Sequence, residues 1–150
     1  MPIIPQEDQD YIRDLFAEKF ENDVTLRFYT QRQTGLLVPG QECTTCKDTR
    51  QLLEELVALS DKLTLDVHDF YAEREQAAAE GISEIPAIVL EGQNKGKVRF
   101  IGVPAGYEFA TLIEDLIDVS RGTTGLELHS RETLDALTEP VHIQVFVTPT

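Results

Sequence analysis

Between Val24 and Ser120 the apolar residues change period repeatedly, and the order of those changes restricts the fold more than any single motif does. Val24, Leu26 and Phe28 alternate with Thr25, Arg27 and Tyr29, the period of a strand. After a loop from Thr30 to Glu42, the set Leu52, Leu53, Leu56, Val57 and Leu59 has the stripe of a helix packed on one face, so Thr44 to Ser60 reads as helical. Leu63 to Val67 is a second strand, Tyr71 to Glu80 a short Ala-rich helix stopped by Gly81, and Ala87 to Leu90 a third strand. The run Glu91 to Lys97 reads as a hairpin loop that returns Val98 to Ile101 antiparallel. Gly102 to Gly106 then leads into a helix over Tyr107 to Ser120, with Phe109, Leu112, Ile113, Leu116 and Ile117 on its apolar face.

A β-α-β unit with right-handed crossover followed by β-β-α gives a four-stranded mixed sheet flanked by helices, an α/β chain of thioredoxin-like fold. An extra N-terminal helix is expected over Asp8 to Glu21, where Tyr11, Ile12, Leu15, Phe16 and Phe20 share a face. Past Gly122 the pattern changes to a polar linker over Thr123 to Leu128, a short helix over Ser130 to Leu137 and an alternating strand over Val141 to Val147. The expected division is therefore residues 1–122 as one unit and residues 123–150 as a linker, a helix and the first strand of a truncated second unit.

The 150 residues suit one ordinary domain, and 41% apolar with 27% charged residues suits a folded one. The net charge of -14 repels phosphate backbones and anionic lipid, so neither nucleic acid nor a membrane surface is an expected partner. The first residues carry no positive start and no long apolar run, and no stretch approaches the ~20 residues of a membrane span. A cytoplasmic location is expected.

Cys43-Thr44-Thr45-Cys46 carries the chemistry. At the start of a helix that follows a strand, the helix dipole and free backbone N–H groups stabilise a thiolate on Cys43. The pair can close a small disulfide, so Cys43 is placed to attack a partner disulfide and Cys46 to resolve the mixed intermediate. A zinc site needs two further ligands, and His68, His129 and His142 are scattered without metal spacing. No cofactor or metal is expected. Pro86 stands just ahead of the third strand, where a cis Ile85-Pro86 bond turns the Ile85 backbone outward as a short edge for an incoming peptide; a trans, strand-initiating proline is the bland alternative. Glu114, Asp115 and Asp118 read as a solvated helix face, and His68 receives no role.

These residues resemble the thioredoxin superfamily. The match sharpens at Arg99 to Phe109 (RFIGVPAGYEF) and at Glu114 to Arg121 (EDLIDVSR). Those runs are similar to the first half of the glutaredoxin-like protein disulfide oxidoreductases, which carry two thioredoxin-fold units in tandem. In that family the second unit opens with a strand similar to Val145 to Thr150, followed by a second Cys-x-x-Cys.

The resemblance implies a thiol-disulfide oxidoreductase that exchanges electrons with protein thiols and disulfides. Cys43 is then the nucleophile, Cys46 the resolving thiol and Pro86 the cis proline, with a thioredoxin-reductase-like enzyme recycling the pair. Two other readings stay open: a non-catalytic binding module that holds partners at Ile85-Pro86, and an electron-transfer module feeding a peroxidase. The 30–42 loop looks longer than in such relatives, and for the buried carboxylate that thioredoxins place near the resolving cysteine only Asp66 and Glu84 are candidates. The strand at 141–147, left without its sheet, is expected to add to the first unit's edge or to pair with its counterpart in a homodimer.

Overall fold

The computed structural model describes residues 1–32 and 38–148. Part of the expected 30–42 loop, residues 33–37, and the last two residues of the tail lie outside them. The elements run α1 (Gln6–Lys19), β1 (Val24–Thr30), α2 (Cys46–Val57), β2 (Leu63–Asp69), α3 (Arg74–Ala79), β3 (Ala87–Glu91), β4 (Val98–Ile101), α4 (Tyr107–Arg121) and α5 (Leu128–Asp135). The sheet order is β2-β1-β3-β4, with β1 parallel to β2 and antiparallel to β3, and β3 antiparallel to β4. This is the thioredoxin fold with an N-terminal helix added.

Strand alternation divides the core in two. Val24, Leu26 and Phe28 of β1 and Ile88 and Leu90 of β3 face α2 and α4, where they join Leu53, Leu56, Leu112 and Leu116. Ile12, Phe16 and Phe20 of the N-terminal segment close this same core, the two phenyl rings stacked at 4.3 Å. Each such buried aliphatic or aromatic side chain contributes roughly 1.5 to 3 kcal/mol. The opposite face is smaller: Tyr29, Ala87 and Val89 pack against Ala77 and Ile82 around α3.

Several helix borders differ from the pattern-based expectation, and at three of them the hydrogen bonds show a local reason. The first rung of α2 is the Thr49 N–H to Thr45 C=O bond at 3.0 Å, so the helix starts at Cys46 with Thr45 as N-cap, and Cys43 precedes it by three residues. The α2 stripe begins only at Leu52 and marks no start. At the other end Leu59 N–H reaches Leu56 C=O at 3.1 Å, an i to i+3 bond that tightens the chain out of the helix while Leu59 stays buried. Ahead of α3, the Asp69 carboxylate accepts Tyr71 and Ala72 N–H at 2.9 and 3.1 Å, and this turn displaces the helix start to Arg74.

Two polar ties position the ends. Ser120 Oγ donates to Asn22 C=O at 2.7 Å and accepts the Glu21 and Asn22 N–H groups at 3.0 Å, joining α4 to the entry of β1. The Glu55 carboxylate of α2 accepts the Ile3 and Ile4 N–H groups at 2.9 Å. Burial opposes its ionisation, yet the backbone hydrogen bond from Ile4 and a side-chain bond from Gln51 outweigh it and hold the Glu55 carboxyl below its ordinary range. Gly122 ends α4 in the left-handed region at φ +70°, where an added Cβ also meets Gln93 Cβ at 2.9 Å, so only glycine fits the turn.

The tail departs from expectation. Residues 141–148 form no strand, and Val141, Ile143, Val145, Phe146 and Val147 are exposed. Addition to the edge of the first sheet does not occur, since that sheet has four strands and ends at β2 and β4. A strand is defined by its ladder, and residues 141–147 pair with none of the four described strands.

Candidate redox site

Cys43 and Cys46 are joined by a disulfide, their Cα atoms 5.5 Å apart. Cys46 opens α2 and is buried at 5% exposure, whereas Cys43 lies outside the helix and is only half-buried. A partner therefore meets Cys43 first. The N–H groups of Cys46, Lys47 and Asp48 precede the first helical bond, at the positive end of the helix dipole and directly after the Cys43–Cys46 turn. Cys43 itself is held from the other side: its N–H donates to Gln31 Oε1 at 2.9 Å, and Gln31 directly follows the last residue of β1.

Register brings Pro86 to the same end of the sheet. Tyr29 pairs with Ala87 across the antiparallel β1–β3 ladder, so Ile85-Pro86 lies beside the point where β1 runs out toward Gln31. The Ile85-Pro86 bond is cis, with Pro86 buried and Ile85 half-buried. Pro86 C=O accepts the Gly102 N–H at 2.8 Å, which ties the turn to the end of β4.

The face under α3 holds a polar network that the sequence did not disclose. Arg27 donates through Nη1 to Glu80 and through Nη2 to Glu91 at 2.6 Å, and its Nε lies 3.7 Å from Asp66. The most shielded carboxylate of this network is Glu80, with 13% of its side chain exposed, whereas the Asp66 side chain is 48% exposed and Glu84 is exposed. Burial, and then the Glu80 charge beside it, pushes the Tyr29 phenol up to about 12. Burial opposes the charge on Arg27, yet its bond to Glu80 and the surrounding carboxylates keep the guanidinium pKa above its ordinary value. The signal for this network was Arg27 on the face of β1 opposite Val24, Leu26 and Phe28.

His68 belongs to the same face. Its Nδ1 stands 2.5 Å from Glu73 and its Nε2 2.8 Å from Asp66, and its ring lies 5.3 Å from that of Tyr29. Burial lowers its pKa, but the hydrogen bonds to Glu73 and Asp66 outweigh it and raise the pKa above 6.5. A raised folded-state pKa gives stability that is full below the unfolded value and is lost as pH rises through the folded one. Urea midpoints measured from pH 6 to pH 9 are therefore expected to fall in the wild type and to stay flatter in His68→Gln; equal slopes would refute the imidazolium clamp.

Asp115 and Asp118, expected on a solvated face, are instead half-buried. Burial first, and neighbouring acids second, raise the Asp115 pKa; Asp118 is raised by burial and Glu114 against the opposing effect of Arg121. Both line a cleft of about 560 Å³ between α4, the β3–β4 hairpin and the 123–135 segment, which includes neither cysteine. Among the described residues no cluster of three His, Cys, Asp or Glu side chains is arranged to hold a metal ion, and no helix is long and apolar enough to cross a membrane.

A thioredoxin fold whose first α/β crossover carries a disulfide-closed Cys-x-x-Cys, with a cis-proline turn at the same sheet end, defines a thioredoxin-type dithiol/disulfide protein. Residues 36–114, more than half of the chain, match the family described as thioredoxin domain, and the chain belongs to that family. Over 73 residues it is 37% identical to the AhpF component of the alkyl hydroperoxide reductase of Xanthomonas campestris pv. phaseoli, covering 49% of this chain and 12% of that protein. Its fold matches a protein disulfide oxidoreductase from Aeropyrum pernix with a TM-score of 0.71 at 24% identity, covering 89% of this chain and 55% of that one. It also matches the NTD_N/C domain of alkylhydroperoxide reductase AhpF from Enterococcus faecalis, with a TM-score of 0.70 at 22% identity over 91% of this chain and 62% of that one. The chain thus spans less than two-thirds of each of these proteins.

Proposed function

We propose that the chain is a thiol-disulfide oxidoreductase module acting on protein thiols and disulfides through Cys43 and Cys46. The observation that carries this reading is the asymmetry of the pair: Cys43 half-buried ahead of α2, Cys46 buried in its first turn. In the reducing direction the Cys43 thiolate attacks one sulfur of a partner disulfide, the partner S–S bond breaks, and the leaving thiolate takes a proton from water. Cys46, having given its proton to water, then attacks Cys43 Sγ and expels the second partner thiolate. Two electrons pass to the partner and the Cys43–Cys46 disulfide remains, the state seen in the structure. Ile85 and Pro86 are assigned to seating the partner's extended chain, because register places them beside this turn.

The recycling partner is a thioredoxin-reductase-like enzyme and the location cytoplasmic. Residues 1–122 form the redox unit, and 123–150 a linker, a helix and a segment, 141–147, that becomes the first strand of a second unit only where it meets a ladder. The exposed apolar residues of 141–147 support pairing of that segment with a second copy of the chain, giving a homodimer. The likeness to an alkyl hydroperoxide reductase component favours a second reading within the same chemistry, delivery of electrons to a peroxidase.

Equilibration of the chain with glutathione buffers, together with turnover of a disulfide-bonded protein under dithiothreitol, tests the proposal. A single two-electron transition of the Cys43–Cys46 pair with catalysed reduction is the expected result. A pair that equilibrates without accelerating reduction identifies a binding module instead.

A further inference from the structure

Cys43 lies in neither helix nor strand, and among the described residues two bonds hold it: the disulfide to Cys46 and the hydrogen bond its N–H donates to Gln31 Oε1 at 2.9 Å. The first is consumed whenever the site is reduced. The second is chemically independent of the sulfurs. Gln31 is half-buried and follows Thr30, the last residue of a strand paired on both sides, so its side chain starts from a firmly held point of the sheet. Thr30 is itself buried, and its C=O accepts the Phe70 N–H at 3.0 Å, which fixes the root of the Gln31 side chain further.

We propose that Gln31 is a positioning residue for Cys43: by accepting the Cys43 N–H it keeps that cysteine at the head of α2 after the disulfide has opened. The proposal rests on the reading of Cys43 as the attacking thiol. A thiolate is stabilised at a helix start only while its sulfur stays near the N–H groups that precede the first helical bond, here those of Cys46, Lys47 and Asp48. Thr45 makes no side-chain cap bond, so the helix start does not itself hold the preceding turn through that residue. Without the Gln31 bond, reduced Cys43 loses its tie to β1, spends less time in that field, and titrates closer to a free thiol.

Two variants of the full chain separate this from a merely structural role. Gln31→Met is close in shape but has no acceptor oxygen; Gln31→Glu keeps the acceptor and sets a negative charge beside the sulfur. In the reduced protein, iodoacetamide alkylation is followed against pH, with peptide mass mapping to distinguish Cys43 from Cys46. With Gln31→Met the Cys43 rate at pH 7 is expected to fall about threefold to tenfold, the range of one net hydrogen bond, and the midpoint to move up. With Gln31→Glu the midpoint moves up further, because like charge opposes the thiolate.

A Gln31→Met profile that superimposes on the wild type overturns the proposal, as does a Gln31→Glu shift no larger than that of Gln31→Met. Should Gln31→Met fail to fold, Gln31→Glu decides alone, and an unchanged midpoint refutes the contact in the reduced state. If Cys46 is alkylated first in the wild type, the assignment of roles falls and this proposal with it. If Cys43 reacts first and the variants titrate alike, only the role of Gln31 falls.

Discussion

Cys43→Ser is expected to reduce catalysed disulfide exchange to the uncatalysed background, while Cys46→Ser stalls after the first step and accumulates a mixed disulfide with the partner. The two outcomes differ because the cysteines are not equivalent in space. Cys43 is open to a partner and Cys46 is buried in the first turn of α2, so removing the first prevents attack and removing the second prevents resolution. Mass spectrometry of each variant after incubation with a disulfide-bonded protein distinguishes them. A covalent adduct on Cys43→Ser, with none on Cys46→Ser, would reverse the assignment.

The second large effect is on stability. Arg27→Met leaves the Glu80 carboxylate, only 13% exposed and set beside the Tyr29 phenol, without the cation that neutralises it. Removing one partner of a buried ion pair costs about 3 to 5 kcal/mol. The lower end applies here, since the Arg27 side chain is 23% exposed and Glu80 can recruit water on relaxation. Arg27→Met with Glu80→Gln is expected to recover most of the loss, because the charge left stranded by the single change is gone. Denaturant midpoints of the wild type, the single and the double variant measure this, and a double variant as unstable as the single one would sink the explanation.

The four strands were legible because each carries its own period: Val24-Leu26-Phe28 and the apolar run of Ala87 to Leu90 needed no partner to be recognised, and their neighbours followed from handedness. The Cys-x-x-Cys and the proline turn were legible as motifs, and the structure adds the register by which β1 and β3 carry them to one end of the sheet. What stayed hidden was set by distant partners. Glu80 sits at the end of an Ala-rich helix among exposed residues, where an acid ordinarily reads as solvated, and its burial depends on Arg27, 53 positions away. Gln31 read as one polar residue in a polar loop, and only the folded chain brings it to the Cys43 N–H. The strand expected at 141–147 illustrates the converse: alternation is a capacity for pairing, and it becomes a strand only where a ladder exists.

The unequal halves of the core have a consequence for how the molecule breathes. On one side of the sheet α1, α2 and α4 share a large continuous core, while on the other the six-residue α3 rests on a small cluster and a web of charges. Local opening follows the thinner cover, because fewer apolar contacts are lost there. The α3 flap and the 80–86 segment can therefore loosen as a separate cooperative unit while α2, with Cys46 at its head, stays folded. On the proposed reading, the partner would meet a stiff side carrying Cys46 at the head of α2 and a yielding side carrying Ile85-Pro86, a division suited to gripping peptides of different shape.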